Sequence, residues 1–206
     1  MQNHRIALID YRAGNLTSVK KAFAAVGADL FVPPQAGDLA QAQAVVVPGV
    51  GHFAATQTLT PDWMNAIRAG VGAGKPLLGI CLGMQWLFEG SAEAPACAGL
   101  GLLPGLCYRL PGESNGASIK IPHVGWNELD LRRRDSILDG VSPGAQVYFT
   151  HSFAAPITAD TVAVTEHGAP FAAVVQRGSV AGVQFHPEKS GEVGLTVLRN
   201  FLRLVS

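Results

Sequence analysis

The chain has 206 residues, 15 basic and 15 acidic side chains, a formal net charge of zero and 48% hydrophobic residues. This balance leaves no excess of positive charge that would indicate binding to nucleic acid or to an anionic membrane. The one short basic run, residues 132–134, is expected to be a solvated loop. Charged residues make up only 15%, against roughly 25% in average soluble domains, so we expect a heavily buried sheet and a surface partly covered by a partner.

The lack of targeting signals and the spacing of the cysteines further limit the class of protein. The uncharged stretch at residues 76–88 is too short to cross a bilayer, and the first residues lack the apolar core of a signal peptide. Cys81, Cys97 and Cys107 are odd in number and show no C-x-x-C spacing. We therefore expect a cytoplasmic protein without a structural disulfide or a metal site.

The first half alternates short apolar runs with helical patterns, which is typical of a parallel sheet with crossover helices. Strands are predicted at residues 5–10, 29–32, 44–47 and 77–80. One helix is predicted to begin near Asn15 and to end at Gly27. A second is predicted to begin at Thr60 and Pro61 and to end among the glycines at positions 70, 72 and 74.

The second half contains strand-like runs separated by Pro-Gly and Arg-Gly turns. The runs are residues 100–110, 119–129, 146–153, 161–166, 171–176 and 180–185. A last amphipathic helix is predicted from about Gly191. The sequence thus predicts an α/β fold with an open, mostly parallel central sheet, flanking helices and antiparallel additions in the C-terminal half. With no linker or repeat, residues 1–206 are expected to form a single domain.

The most informative stretch is GICLGMQ at residues 79–85, at a predicted strand-to-helix junction. Cys81 is flanked two positions away by Gly79 and Gly83, which is the thiol version of the G-x-S-x-G nucleophile elbow. Such a turn is crowded, so it requires small residues on both sides, and the helix that follows offers backbone N–H groups to an oxyanion. A buried core cysteine is the alternative, and the pattern alone leaves the two about equally supported.

His186 is the strongest candidate for the base, in the sequence QFHPE at residues 184–188. Residues two apart in an extended segment face the same side, and Pro187 fixes the backbone between them, so Glu188 is predicted to orient the imidazole. A surface His–Glu pair is the alternative for this spacing alone. Combined with Cys81, however, the pair completes a nucleophile, a base and an orienting carboxylate.

The other histidines and cysteines carry weaker signals. His52, His123 and His151 could line the site but show no metal-ligand spacing. His4 and His167 are expected to be solvated, and Cys97 and Cys107 are expected to be packing residues.

Two glycine-rich loops invite a nucleotide-binding interpretation. Gly49-x-Gly51-x-x-Ala54 matches a dinucleotide fingerprint in form, but no acidic residue ends the next strand. Gly74-Lys75 fails as a P-loop because Pro76 stands where Ser or Thr must bind magnesium. The loop at 49–51 is better explained as a mobile backbone whose N–H turns toward an oxyanion across from Cys81, with a simple tight turn as the alternative.

Together the motifs resemble the class I (triad) glutamine amidotransferases, and among them the glutaminase subunits of imidazole glycerol phosphate synthase. The finer matches are DYRAGNL at 10–16, PGVGHF at 48–53, PHVGWN at 122–127, YFTHSF at 148–153 and FHPEKS at 185–190. They are spread in order over nearly the whole chain. Two departures stand out: the family usually has glycine where Arg12 stands and tyrosine where Phe153 stands.

The resemblance implies hydrolysis of glutamine to glutamate and ammonia through a Cys81 thioester, without a cofactor. The other implied roles are an oxyanion hole from Leu82, Gly49, Val50 and Gly51, and glutamine binding by Gln85, Ser152 and Phe153. The implied partner is a (β/α)₈-barrel cyclase that uses the ammonia to make imidazole glycerol phosphate and AICAR in histidine biosynthesis. Residues near the shared face and the ammonia passage would be Asn15, Trp126, Tyr148 and Lys189, although both aromatics could equally be core residues.

Two rival functions fit part of the pattern. A partner-free thiol hydrolase acting on γ-glutamyl or peptide substrates would use the same elbow and triad. A catalytically dead scaffold subunit is disfavoured by the intact Cys81, His186 and Glu188.

Overall fold

The structure is a computed structural model that describes residues 4–205. Residues 1–3, part of the segment compared above with a signal peptide, lie outside the described residues. Within the described range, no helix is both long and apolar enough to cross a membrane.

Strands and helices alternate in the first half of the chain, and strands dominate the second. The strands, in chain order, are β1 (Arg5–Leu8), β2 (Asp29–Phe31), β3 (Ala44–Val47), β4 (Leu77–Ile80), β5 (Gly90–Ser91), β6 (Leu106–Arg109), β7 (Glu113–Ser114), β8 (Ala117–Ser118), β9 (His123–Glu128), β10 (Asp130–Leu131), β11 (Gln146–His151), β12 (Phe153–Ala154), β13 (Thr161–His167), β14 (Ala169–Arg177) and β15 (Val180–Val183). The α-helices are α1 (Leu16–Ala25), α2 (Pro61–Gly72), α3 (Leu82–Trp86) and α4 (Gly191–Arg203). Short 3₁₀ turns cover Ala36–Gln41, Phe53–Thr58, Ser136–Leu138 and Pro187–Lys189.

The central sheet has eight strands in the order β10-β13-β14-β15-β4-β3-β1-β2. Strands β2, β1, β3, β4 and β15 run parallel, and β14, β13 and β10 extend the sheet antiparallel. The parallel strands β3, β4 and β15 are buried at every position, because helices and loops cover both faces of the sheet. The predicted fold class is confirmed.

Local signals set the helix ends as predicted. The Asn15 side chain accepts a hydrogen bond from the Ser18 N–H at the start of α1, and Gly27 follows the helix with a left-handed φ of 84°. Helix α2 begins after Thr60 with Pro61 at its first position.

Strand prediction was less accurate in the second half. In the run 100–110 only β6 is a strand. Residues before it form a loop that buries Leu100 and Leu103, and in this loop the Leu100 N–H donates to the Trp86 carbonyl and the Leu102 N–H to the Leu87 carbonyl. Gly101 and other glycines with positive φ turn the chain there, so an apolar run became a folded loop.

The sheet order places the site. Strand β2 lies on one side of β1 and β3 on the other, so the connections reverse direction between β1 and β3. Open α/β sheets bind ligands beside such a reversal, at the carboxyl ends of the strands. The loops after β1, β3, β4 and β15 meet at this edge and carry most of the predicted site residues.

Candidate active site

Cys81 occupies a strained turn between β4 and α3. Its backbone has φ 54° and ψ −109°, which is close to the mirror image of the ordinary extended conformation and is unfavourable for any residue with a Cβ. A Cβ at Gly79 would lie 2.7 Å from the Gly83 carbonyl oxygen, and one at Gly83 would overlap the Val47 carbonyl. The expected need for small residues on both sides of the elbow is therefore confirmed.

His186 follows β15, the parallel neighbour of β4, so it lies at the same edge as Cys81. Its Nδ1 is 2.8 Å from the Glu188 Oε1, and the two side chains are 2% and 3% exposed. The Pro187–Lys189 turn brings Glu188 back to the ring, so the expected pairing is present but an extended segment does not produce it.

The electrostatics of His186 favour its protonated form. Burial alone would lower its pKa, but the nearby Cys81 and the hydrogen bond and charge of Glu188 outweigh that effect and raise the pKa to about 10. Nε2, the nitrogen not used by Glu188, is buried without a hydrogen-bond partner among the described residues. It is therefore free to exchange a proton with a reacting group.

The loop after β3 is closed over the elbow. The Leu82 N–H donates to the Gly49 carbonyl at 3.4 Å, and the Tyr11 hydroxyl donates to the Pro48 carbonyl at 2.7 Å. A Cβ at Gly49 would overlap the Tyr11 hydroxyl, and Gly51 has a left-handed φ of 101°. In this state a carbonyl, rather than an N–H, of the loop faces the backbone donor after Cys81.

A cavity of about 270 Å³ opens beside Cys81. Its walls are Gly51, Cys81, Leu82, Gln85, Glu93, Pro122, Thr150, His151, Ser152 and Phe153. The Gln85 Nε2 donates to the Phe153 carbonyl at 2.7 Å and to the Gln184 Oε1 at 3.1 Å. The predicted glutamine-binding residues are thus brought together at one cavity with the candidate nucleophile.

Two residues at this site escaped the sequence analysis. Gln184 is fully buried, and its Nε2 is 3.7 Å from the Cys81 Sγ. Glu93 lines the cavity, and its Oε2 accepts a hydrogen bond from the Phe53 N–H at 2.7 Å. A lone amide at the end of an apolar run could have indicated Gln184, whereas no local pattern singles out Glu93.

Three of the four predicted partner residues form one surface cluster. Tyr148 and Trp126 are paired across β11 and β9, their ring centroids are 6.1 Å apart, and Trp126 is 57% exposed. The Lys189 Nζ lies 5.7 Å from the Tyr148 ring centroid. Asn15 caps α1, which packs against the Pro187–Lys189 turn. Trp126 is therefore not a core aromatic.

The two departures from the family pattern have local explanations. Arg12 has a φ of 62°, a conformation that glycine adopts freely, so the usual glycine relieves a backbone strain that this chain carries. Phe153 contributes its backbone carbonyl to the cavity, so the missing tyrosine hydroxyl leaves that contact unchanged.

The secondary predictions have mixed outcomes. Cys97 and Cys107 are buried packing residues, as expected. His167 was wrongly expected to be solvated: it is only partly exposed and stacks on His123 with centroids 4.1 Å apart. A larger groove of about 910 Å³ beside residues 132–134 contains none of the predicted site residues. Within residues 4–205, no cluster of three or more His, Cys, Asp or Glu could hold a metal ion.

Comparison with known proteins is decisive for the family. The glutamine amidotransferase class-I family matches residues 7–205. Imidazole glycerol phosphate synthase subunit HisH from Moorella thermoacetica is 46% identical over 204 residues, covering 97% of this chain and 95% of that protein. The chain belongs to the class-I glutamine amidotransferases, in their HisH branch. HisH from Xanthomonas euvesicatoria is 44% identical over 97% of both chains, and HisH from Bacillus cereus is 42% identical over 97% of this chain and 95% of the relative.

Solved structures agree on the fold of this amidotransferase. A structure of PurLQS from Thermotoga maritima superimposes with a TM-score of 0.76 at 19% identity, covering all of both chains. A crystal structure described as a glutamine amidotransferase gives a TM-score of 0.74 at 19% identity over 97% of this chain and 98% of that one.

Proposed function

We propose that the chain is the glutaminase subunit of an imidazole glycerol phosphate synthase. One observation carries the proposal: the strained, cavity-lining Cys81 follows β4 at the sheet edge where the buried His186–Glu188 pair follows the neighbouring β15, close enough to raise the pKa of His186. A surface cysteine or a packing cysteine needs neither the strain nor the buried ion pair. The identity of 42–46% to HisH relatives supports the same assignment.

The chemistry follows from the charge arrangement. A Cys81 thiolate attacks the side-chain carbonyl of glutamine and forms a tetrahedral oxyanion. Protonated His186 gives its Nε2 proton to the nitrogen as the C–N bond breaks, so ammonia leaves and a γ-glutamyl thioester remains. Water then attacks the thioester, gives a proton to His186 and releases glutamate and the thiolate.

The oxyanion hole requires a movement of the 49–51 loop. The Leu82 N–H is one donor, but in the resting structure it bonds the Gly49 carbonyl. Rotation of the Gly49–Val50 peptide would remove that carbonyl and present the Val50 N–H to the oxyanion. This peptide joins Gly49, whose backbone has no Cβ to restrict it, to Val50, which is 38% exposed, so both of its ends can turn.

The cavity suits free glutamine in charge and size. The Glu93 carboxylate can receive the α-ammonium group, and backbone groups of Ser152 and Phe153 can bind the rest of the amino-acid head. Among the described residues, no protein donor reaches the Gln85 Oε1, which leaves it available to a substrate N–H. This substrate set favours glutamine over a long peptide.

A partner fits the exposed aromatic cluster. Tyr148, Trp126 and Lys189 lie on the surface next to the His186 segment, since the His186 N–H donates to the Tyr148 carbonyl at 2.9 Å. We place the cyclase subunit, of (β/α)₈-barrel type, on this face, with Asn15 at its margin and the ammonia passing between the subunits. The three unpaired cysteines fit a reducing cytoplasm.

The test is glutamate release from glutamine, measured with and without a cyclase subunit and its ligand. We expect slow release alone, much faster release in the complex, and loss of both in Cys81→Ala. Cys97→Ala is the matched control, because it removes a buried thiol outside the cavity. Unchanged turnover in Cys81→Ala, or a preference for γ-glutamyl peptides, would overturn the proposal in favour of another mechanism or of the hydrolase rival.

A further inference from the structure

A buried chain of hydrogen bonds leads from the surface end of β9 to the glutamine cavity. The His151 Nδ1 is 2.9 Å from the Phe153 carbonyl, and the His151 Nε2 is 3.2 Å from the His123 Nδ1. The His123 Nε2 is 3.3 Å from the Asn127 Nδ2. Both histidines are buried, and the reaction proposed above uses neither of them.

The groups at the two ends of this series of hydrogen bonds determine which atom donates and which accepts in each of them. A carbonyl can only accept, so His151 carries its proton on Nδ1 and its Nε2 accepts from the His123 Nδ1–H. The His123 Nε2 then accepts from the Asn127 amide. That amide is oriented independently, because its Oδ1 accepts from the Glu128 N–H at 2.9 Å and its Nδ2 also donates to the Glu166 carbonyl at 3.0 Å.

The surroundings keep both rings neutral and in place. Burial, with the nearby His167, lowers the pKa of His123 to about 4. Burial lowers the pKa of His151 to about 3, although its hydrogen bond to the Phe153 carbonyl acts in the opposite direction. The charges of three neighbouring histidines, His123, His167 and His186, lower this pKa further. The His123 ring also stacks on the rings of His167 and Phe149, so its orientation is fixed as well as its tautomer.

The carbonyl at the end of the chain is a wall of the substrate site. The Phe153 carbonyl accepts from His151 and also from the Gln85 Nε2 at 2.7 Å. We propose that His123 is a positioning residue for glutamine: acting through His151, it fixes the Phe153 carbonyl and thereby the Gln85 amide in the orientation that receives the substrate. This inference rests on the proposed function.

Two substitutions at His123 separate positioning from packing. His123→Phe keeps the flat ring and its stacking but removes the donor, whereas His123→Asn removes the ring but places an Nδ2 donor where the Nδ1 stood. Losing one buried hydrogen bond should raise KM for glutamine about five- to tenfold in His123→Phe, with a smaller change in kcat. His123→Asn should keep KM within about twofold of the parent. Because it lacks the stacked ring, it should unfold at a lower urea concentration.

The two variants should therefore rank in opposite order in the two measurements: His123→Phe is the more stable, and His123→Asn has the lower KM for glutamine. If KM is unchanged in His123→Phe, or is raised as much in His123→Asn, His123 is only a packing residue and the inference is overturned. If His123→Phe does not fold, Asn127→Leu replaces it, with an expected KM increase of about threefold and with no increase as the contradicting result.

Nitrogen-15 spectra of the parent protein provide a second readout. Between pH 6 and 8, His123 and His151 should both be neutral with the proton on Nδ1, and a proton on Nε2 of His151 would overturn the inference. The assays include the parent and Cys81→Ala with the cyclase subunit present. If the parent lacks Cys81-dependent glutaminase activity, the proposed function fails, whereas an active parent with an unchanged His123→Phe variant refutes only the positioning role.

Discussion

The elbow strain predicts an unusual effect of glycine at position 81. Both Cys81→Ala and Cys81→Gly remove the thiol, so their difference reports mainly on the backbone. An L-residue at φ 54° and ψ −109° costs about 1–3 kcal/mol, whereas glycine adopts this conformation freely. Glycine costs about 0.5–1 kcal/mol more than alanine in lost chain entropy, so Cys81→Gly should be the more stable variant by about 1 kcal/mol.

Urea unfolding followed by circular dichroism measures this difference. The matched control is Ala69→Gly, an exposed position inside α2, which should lose about 1 kcal/mol because glycine disfavours an ordinary helix. The sign of the alanine-to-glycine change should therefore be opposite at the two positions. If Cys81→Gly is less stable than Cys81→Ala by the amount seen in the control, the elbow is not strained and the reasoning is refuted.

Three further predictions concern the site. Gly83→Ala should cost several kcal/mol or prevent folding, because its Cβ would overlap a carbonyl of β3, whereas Gly72→Ala, with open space around it, should be neutral or slightly stabilising in the same urea assay. Because the pKa of His186 is raised from its ordinary 6.5 to about 10, the stability it contributes is complete below about pH 6.5 and is lost as the pH rises to about 10. Glu188→Gln lowers that pKa, so the loss of unfolding free energy in this variant should be largest at pH 6.5 and shrink by pH 9.5; a loss that grows with pH would contradict the assignment. Gln184→Leu removes the amide beside the thiol and should slow alkylation by iodoacetamide several-fold at pH 7, and an unchanged rate would show that the amide does not act on the sulfur.

The parallel half of the fold could be predicted because its signals are local. Buried runs such as Ala44–Val47 and Leu77–Ile80 read as continuous apolar strands, and Asn15 and Gly27 mark the ends of α1. In the second half, apolar residues also fill loops such as 100–105, where backbone bonds to the segment after α3 replace strand pairing. Periodicity does not distinguish these cases.

The candidate active site was predictable in part for the same reason. Cys81 and the His186–Glu188 pair stand out by spacing, whereas tertiary folding brings Gln184 to the Cys81 sulfur and Glu93 to the cavity wall. The hydrogen-bonded direction of His123 and His151 depends on a carbonyl and an amide from other strands, which no local pattern contains.

The central claim is that a γ-glutamyl thioester forms on Cys81. Its most direct test is acid quench of the chain turning over glutamine with its cyclase partner, followed by mass spectrometry of the peptide that contains this residue. The account predicts a γ-glutamyl adduct on Cys81 that forms and decays at the rate of glutamate release and is absent in Cys81→Ala. Glutamate release at the parent rate by Cys81→Ala, or turnover with the adduct on another residue, would contradict it.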